Sequence, residues 1–192
     1  MAAEAESASD TRERIQAVAL ELFTLQGFEK TSLRAIAERL GLTKAALYYH
    51  FPSKTELIRS LVEPMMDDID AFLEYAEAAD DVPSRQLFET IFDMLYRHQA
   101  VFQALMTDAS GFAHMDLERR SLRWLEEAQT ALVGKDAGPA QRVRSVVAFA
   151  GIARAAAVPA HLGLTVGEVR GPAVDAACAA LGRIPEFKLD ES

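Results

Sequence analysis

The chain has a single cysteine, Cys178, so no disulfide can form within it. Because the residues around it (AVDAACAAL) are small and apolar, we interpret it as a packing residue. The longest apolar run, Val146 to Ala153, is far shorter than the roughly 20 residues that a membrane-spanning helix needs. The first ten residues have neither the basic nor the apolar stretch of a signal peptide. These absences favour a soluble, cytoplasmic protein.

Sequence motifs of common enzyme classes are also lacking. The chain contains no Gly-x-Ser-x-Gly, no Gly-rich phosphate loop and no Cys–His pairing at a useful spacing. Asp67, Asp68 and Asp70 are not followed by the glycine and glutamate that complete a calcium loop. His114 has no helical histidine partner. We therefore expect no catalytic residues, no metal and no cofactor.

No segment alternates polar and apolar residues for long enough to predict a strand, whereas spacings of three and four recur throughout. This periodicity predicts an all-α protein of about nine helices, with an N-terminal three-helix unit and a C-terminal antiparallel bundle. We predict a disordered stretch at residues 1–9, a first domain at 10–56, a second at 57–185 and a tail at 186–192.

Capping residues and breakers predict where the helices begin and end. Asp10, Thr31 and Thr43 are the expected N-caps of the first three helices, and Ser53 opens a capping box for the fourth. Pro64 is expected to kink or break the fourth helix, and Pro172 to open the ninth.

The segment TSLRAIAERLGLTKAALYYHFPSK, residues 31–54, reads as a helix, a turn at Gly41 and a second helix. This second helix carries Lys44, Tyr48, Tyr49 and His50, more polar and aromatic side chains than core packing alone requires. Helix starts attract phosphate through their free N–H groups. Because this layout places a helix in the major groove, we expect residues 10–56 to bind DNA.

Charge is unevenly distributed along a chain of net charge −9. Residues 28–60 have six basic and three acidic side chains, a net of +3, whereas residues 61–192 have 12 basic and 21 acidic, a net of −9. A mildly basic segment on an acidic body indicates that only one face of the protein can dock on DNA.

The run LFTLQGFEKTSLRAIAERLGLTKAALYYHFPSKTEL resembles the DNA-binding domain of the tetracycline-repressor (TetR-like) family of bacterial transcription regulators. The matching pieces include Gly27-Phe28, Thr31-Ser32, Gly41-Leu42 and Leu47 to Phe51. The resemblance covers about residues 10–60. It implies a homodimeric, ligand-responsive regulator, most often a repressor.

The resemblance also assigns DNA-binding roles. The position of Lys44 contacts phosphate or a base edge, those of Ala45 and Tyr48 face the groove, and Tyr49 contacts phosphate in such proteins. Arg34 equally fits a surface pair with Glu38. The full predicted set is Thr31, Ser32, Arg34, Thr43, Lys44, Ala45, Tyr48, Tyr49, His50 and Lys54.

The last two helices are rich in alanine and glycine, which lets helices approach closely. Two helices from each subunit would form a four-helix interface, the usual arrangement in the family, although the same faces could pack internally. The predicted dimer residues are Val147, Gly151, Arg154, Val174, Ala177, Cys178 and Leu181.

Helices four to seven carry many large apolar side chains, most of which core packing alone would explain. The resemblance adds that similar regulators bind small molecules among these helices, and an apolar cavity suits a lipophilic effector. The predicted ligand-binding residues are Phe72, Tyr75, Phe88, Phe92, Leu95, His98, Phe102, Met106 and Trp124.

The sequence thus predicts a regulator that binds a near-palindromic operator as a dimer and is released by a small effector. One alternative is a helix-turn-helix regulator whose bundle binds a protein partner instead of a small molecule. A second is a helical enzyme or scaffold with a vestigial DNA-binding unit. The expected partners are double-stranded DNA, a second copy of the chain and an effector of unknown identity, with no membrane.

Overall fold

The computed structural model describes residues 2–78, 83–108, 117–157 and 163–182. Every regular element in these ranges is an α-helix, which confirms the predicted all-α class. The helices are α1 (Ala2–Gln26), α2 (Leu33–Leu40), α3 (Lys44–His50), α4 (Lys54–Ala78), α5 (Ser84–Arg97), α6 (Gln99–Thr107), α7 (Leu117–Val133), α8 (Pro139–Ala156) and α9 (Val166–Leu181).

The described residues group into two compact units. Those of the first lie within Met1–Asp70 and His98–Arg123, and those of the second within Ala71–Arg97 and Trp124–Ser192. The chain thus passes from the first unit to the second inside α4, and α6 belongs with the first three helices. No linker marks this passage in the sequence, and the predicted domain boundaries stay a prediction.

Helix α1 is longer than predicted. It begins at Ala2, so it includes most of the stretch predicted to be disordered and does not begin at Asp10. Residues 2–6 consist only of alanine and glutamate. Both residue types have a high helix propensity, which favours this extension. At its other end, Gly27 adopts a φ of 85°, a conformation that glycine tolerates best, and ends the helix as predicted.

The corner between α1 and α2 is capped one residue later than predicted. Ser32, not Thr31, is the N-cap, because its hydroxyl accepts the N–H of Ala35 at 3.0 Å. The hydroxyl of Thr31 instead donates to the carbonyl of Gly27 at 2.9 Å and accepts from the side chain of Gln26 at 3.1 Å. Both residue types cap well, so their order in the sequence does not decide between them.

The turn between α2 and α3 is a Schellman motif. Gly41 has a φ of 66°, its N–H donates to the carbonyl of Glu38 at 3.2 Å, and the N–H of Leu42 donates to that of Ala37 at 2.9 Å. The glycine predicted to form the turn therefore sets the angle at which α3 leaves α2.

Helix α4 begins after Ser53, as predicted, with the serine hydroxyl accepting the N–H of Glu56 at 3.0 Å. It continues unbroken through Pro64, whose nitrogen offers no hydrogen to the carbonyl of Ser60. The side-chain amide of Gln16 on α1 donates to that carbonyl at 3.3 Å and to the Ser60 hydroxyl at 2.9 Å. Helix α1 thus replaces the donor that the proline removes.

Helices α5, α8 and α9 pack against one another in the second unit. Fully buried side chains of this core are Phe88, Ile91, Phe92, Ile152 and Val174. Ion pairs join α9 to α5: Arg170 with Asp93, at 2.7 Å for each of two bonds, Arg170 with Glu89 at 3.8 Å, and Arg85 with Asp175.

Helix α9 begins earlier than predicted. Thr165 and Glu168 form a capping box, and the helix continues through Pro172, which was predicted to open it. Hydrogen bonds from Thr165 lower the pKa of the Glu168 carboxyl. The N–H of Thr165 donates to the Glu168 carboxylate and the N–H of Glu168 to the Thr165 hydroxyl. This reciprocal cap starts the helix before the proline.

The contact of Gln16 with Ser60 gives a double-mutant test. We expect Gln16→Ala to lower the free energy of unfolding by about 1 kcal/mol, because the Ser60 carbonyl loses its donor. In a Pro64→Ala background the restored backbone N–H takes over that carbonyl, so the same substitution should cost about half as much. Urea unfolding of the four proteins measures the coupling, and strictly additive effects would contradict this role of Gln16.

Candidate nucleic-acid interface

Helix α3 buries few of its own side chains. Leu47 is fully buried and Phe51, the C-cap, is 1% exposed. Thr43 caps the helix as predicted, accepting the N–H of Ala46 at 3.1 Å. The exposed side consists of Lys44, Ala45, Tyr48 and Tyr49. Tyr49 is 81% exposed, and a ring so open to solvent is available to a partner rather than to the core.

The exposed rings of α3 are arranged by short-range contacts. The ammonium of Lys44 lies 5.5 Å from the centre of the Tyr48 ring, within the range of a cation–π interaction. The half-buried His50 meets Tyr49 edge to face, with ring centres 5.3 Å apart. These contacts place a positive charge and two phenols on one small surface.

Helix α2 adds two of the predicted residues to this region. Ser32 is exposed at its N-terminus, where its hydroxyl already caps the helix. Arg34 is exposed and pairs with Glu38 at 2.7 Å, the surface pair that the sequence left as an alternative. The hydrogen bond that Arg34 donates to the Glu38 carboxylate raises the pKa of Arg34. In solvent such a pair contributes little, so it holds the side chain weakly.

Two predicted DNA-binding residues make contacts within the first unit. Thr31 is 1% exposed, and its hydroxyl closes the corner between α1 and α2. The ammonium of Lys54 donates to the carbonyl of Phe28 and lies 3.7 Å from the centre of its ring. Burial lowers the pKa of Lys54. Both residues hold the corner, which a local sequence pattern does not reveal.

Neither Asp108 nor Arg12 was predicted to contact this region, and the structure shows that both do. Asp108, the C-cap of α6, accepts the backbone N–H of Phe28 at 2.8 Å. Arg12 of α1 donates to the carbonyl of His50, the last residue of α3, at 3.0 Å. These partners are 80 and 38 residues apart in the chain, so no spacing rule connects them.

The predicted ligand-binding residues are divided between the units. In the second unit, five are buried: Phe72, Phe88, Phe92, Leu95 and Trp124. Tyr75 in the same unit is exposed, and its hydroxyl accepts the side-chain amide of Gln86 at 2.9 Å.

The other three lie in the first unit. His98 contacts the carboxylate of Asp68 at 2.8 Å, Phe102 is half-buried, and the side chain of Met106 lies outside the described residues. Neither unit contains all nine residues.

The predicted dimer residues also have different environments. Val147, Gly151 and Arg154 lie exposed on α8, where they were expected. Val174 and Ala177, by contrast, are buried in the protomer, because this face of α9 packs on α8 and α5. Cys178 and Leu181 are half-buried. Burial raises the pKa of the Cys178 thiol, in agreement with a packing role.

Two negative findings concern the described residues only. Among them, no group of three or more His, Cys, Asp or Glu side chains is placed to hold a metal ion. His114 lies outside the described ranges. None of the helices searched combines the length and the hydropathy that crossing a bilayer requires.

A family profile matches the part of the chain from α1 to the start of α4. The family profile "Bacterial regulatory proteins, tetR family" matches residues 15–61. The HTH-type transcriptional regulator TtgR of Pseudomonas putida is 33% identical over 94 residues, 47% of this chain and 45% of the relative. The matches to the first curated relatives thus span less than half of their length.

A longer match covers nearly all of one relative. The uncharacterized HTH-type transcriptional regulator TtgW of the same species is 30% identical over 128 residues, 64% of this chain and 94% of the relative. The solved structure described as "SmeT-Triclosan complex" shares the fold, with a TM-score of 0.59 and 20% identity over 92% of this chain and 100% of that chain. TtgR and TtgW are transcriptional regulators, not enzymes. Profile and relative agree, and the chain belongs to the tetR family of bacterial regulatory proteins.

Proposed function

We propose that this protein is a ligand-responsive transcription regulator, a repressor that binds a near-palindromic operator as a dimer. The exposed face of α3 carries the proposal. A helix that buries Leu47 and Phe51 while leaving Lys44, Tyr48 and Tyr49 exposed has the form of a recognition helix. The homologous regulators support the same assignment.

The exposed residues divide into two kinds of contact. Lysine, tyrosine and threonine donors suit phosphate oxygens, which fix the position of the protein on the duplex. Ala45 presents a small apolar surface to the groove, and Tyr48 lies beside it on the same helix. Few side chains remain to read base edges, which favours a second half-site and hence a dimer.

A second copy of the chain is the proposed occupant of the outer face of α8. Val143 and Val147, one turn apart, are 62% and 59% exposed, and Val146 is 41% exposed. Gly151 continues this stripe without a side chain. Exposed valines at helical spacing cost free energy in water, and burial against the same face of a second subunit would recover it.

A small lipophilic molecule is the proposed effector. The second unit has an aromatic and aliphatic interior that includes Phe72, Phe88 and Phe92. SmeT, whose fold is similar, has been solved as a complex with triclosan. We propose that the effector binds among the buried apolar residues of the second unit and biases α4, with Pro64 as the joint. A ligand shifts such an equilibrium only through unequal affinity for its two states.

Lys44→Ala should weaken DNA binding and reduce its dependence on salt. Loss of one phosphate contact lowers the slope of log K against log salt by about 0.9. Fluorescence anisotropy on a short duplex, selected from a random pool with the wild-type protein, measures both quantities. Lys135→Ala removes an exposed charge from the second unit and serves as the matched control. Equal affinities for the two variants would contradict a role of α3 in DNA binding.

Val147→Glu should convert the dimer into monomers. The residue is exposed in the protomer, so the fold is retained, whereas two glutamates would face each other across the interface. Sedimentation velocity measures the mass, and Leu25→Glu, at a 72% exposed position on α1, is the control. Monomers in the variant should also lose specific operator binding. A variant that sediments like the wild type would place the interface elsewhere.

Triclosan is the first probe for the effector site. Binding to the folded state should raise the melting temperature, with about 2.7 kcal/mol of stabilisation at a hundredfold excess over Kd. The same concentration should weaken binding to the selected duplex, because effector and operator favour different states. A panel of lipophilic compounds that changes neither the melting temperature nor the affinity for DNA would contradict a small-molecule effector.

A further inference from the structure

One face of α1 satisfies two carbonyl groups that other helices leave without a donor. Arg12 and Gln16 lie one turn apart and therefore point in the same direction. Gln16 donates to the carbonyl of Ser60, which Pro64 leaves without its helical partner. Arg12 donates to the carbonyl of His50, where α3 ends. The two contacts tie the end of α3 and the second turn of α4 to a single helix.

Arg12 makes two different contacts at the end of α3. Its Nη1 lies 3.0 Å from the carbonyl oxygen of His50. Its guanidinium carbon lies 4.2 Å from the centre of the Phe51 ring, a cation–π geometry. The last carbonyls of a helix have no internal donor and carry its negative dipole end, so a cation there is favourable on both counts.

Helix α3 has few other means of fixing its orientation. It has only seven residues, and of its own side chains only Leu47 is buried. The hydroxyl of Thr43 holds its first turn through the N–H of Ala46. At the other end, the N–H of Phe51 bonds back to Leu47, and Arg12 supplies a contact from a different helix. Without that contact the last turn, which carries Tyr48 and Tyr49, would be held mainly by the Phe51 ring.

We propose that Arg12 is a positioning residue for the recognition helix: it fixes the direction of the last turn of α3 without contacting DNA. This inference rests on the proposed DNA-binding function. Arg12 is itself exposed, and an exposed arginine near a DNA-binding helix also suits a phosphate. The two roles differ in a measurable way. A phosphate contact contributes to the salt dependence of binding, whereas a positioning contact changes affinity at constant salt dependence.

Hydrogen exchange of the free protein tests the positioning role without DNA. In Arg12→Ala, the amides of the last turn of α3 should exchange about tenfold faster, the change expected from the loss of one hydrogen bond. Exchange in α9 should be unchanged, which separates a local effect from general destabilisation. Arg14→Ala removes the same charge from an exposed position on α1 and should leave α3 unchanged. Unchanged exchange of α3 in Arg12→Ala would overturn the proposal.

Binding to the selected duplex over a range of salt concentrations distinguishes positioning from phosphate contact. Arg12→Ala should bind about fivefold to tenfold more weakly, with the salt slope of the wild type. Arg12→Lys keeps a donor and a cation, so its affinity and its α3 exchange should lie between those of wild type and Arg12→Ala. A slope smaller by about 0.9 in Arg12→Ala would assign the residue to a phosphate and overturn the proposal.

Failure of the proposed function would look different. A wild-type protein that retains no duplex at low salt contradicts DNA binding itself, whereas the hydrogen-exchange experiment still decides whether Arg12 holds α3. A lysine variant as defective as the alanine variant in both measurements would contradict a donor–acceptor bond between Arg12 and His50.

Discussion

A helix of seven residues cannot hold its own orientation through its core contacts, and the candidate interface depends on how α3 overcomes this. Its direction is set at both ends by hydrogen bonds to backbone carbonyls. Before it, the Schellman turn at Gly41 satisfies the carbonyls of Ala37 and Glu38. After it, Arg12 satisfies that of His50. Because the ends are fixed, Tyr48 and Tyr49 are not needed for core packing. They stay exposed to solvent, where they can contact a partner.

The same principle applies to the corner that precedes α2. The peptide groups of Phe28 are held from both sides, the N–H by Asp108 and the carbonyl by Lys54. A charged donor and a charged acceptor make stronger hydrogen bonds than neutral ones. Asp108 caps α6 and Lys54 is the first residue of α4, so the corner is hydrogen-bonded to two further helices of the first unit. This makes the first unit a connected assembly rather than a free helix-turn-helix.

Local chemistry explains which features the sequence predicted. Gly27 and Gly41 end their helices with positive φ angles, and Thr43 and Ser53 cap the next ones through their hydroxyls. Each of these acts within a few residues, so its effect is visible in the sequence. Thr31 as an N-cap and the start of α9 were predicted wrongly, because neighbouring residues compete for these roles. The contact of Lys54 with Phe28 joins residues far apart in the sequence and could not be predicted from a local pattern. Val174 and Ala177 are a similar case. An apolar helix face does not reveal whether it packs within its own subunit or against a second one.

The sequence by itself determined the helical class, the helix-turn-helix and the residues that α3 exposes, because periodicity and capping are local properties of the chain. Only the tertiary structure decided which polar side chains form hydrogen bonds within the protein and which remain available to a partner. Arg12, Asp108 and Lys54 each satisfy a backbone group far away in sequence. Such pairs are selected by distance in the folded state and not by any spacing along the chain.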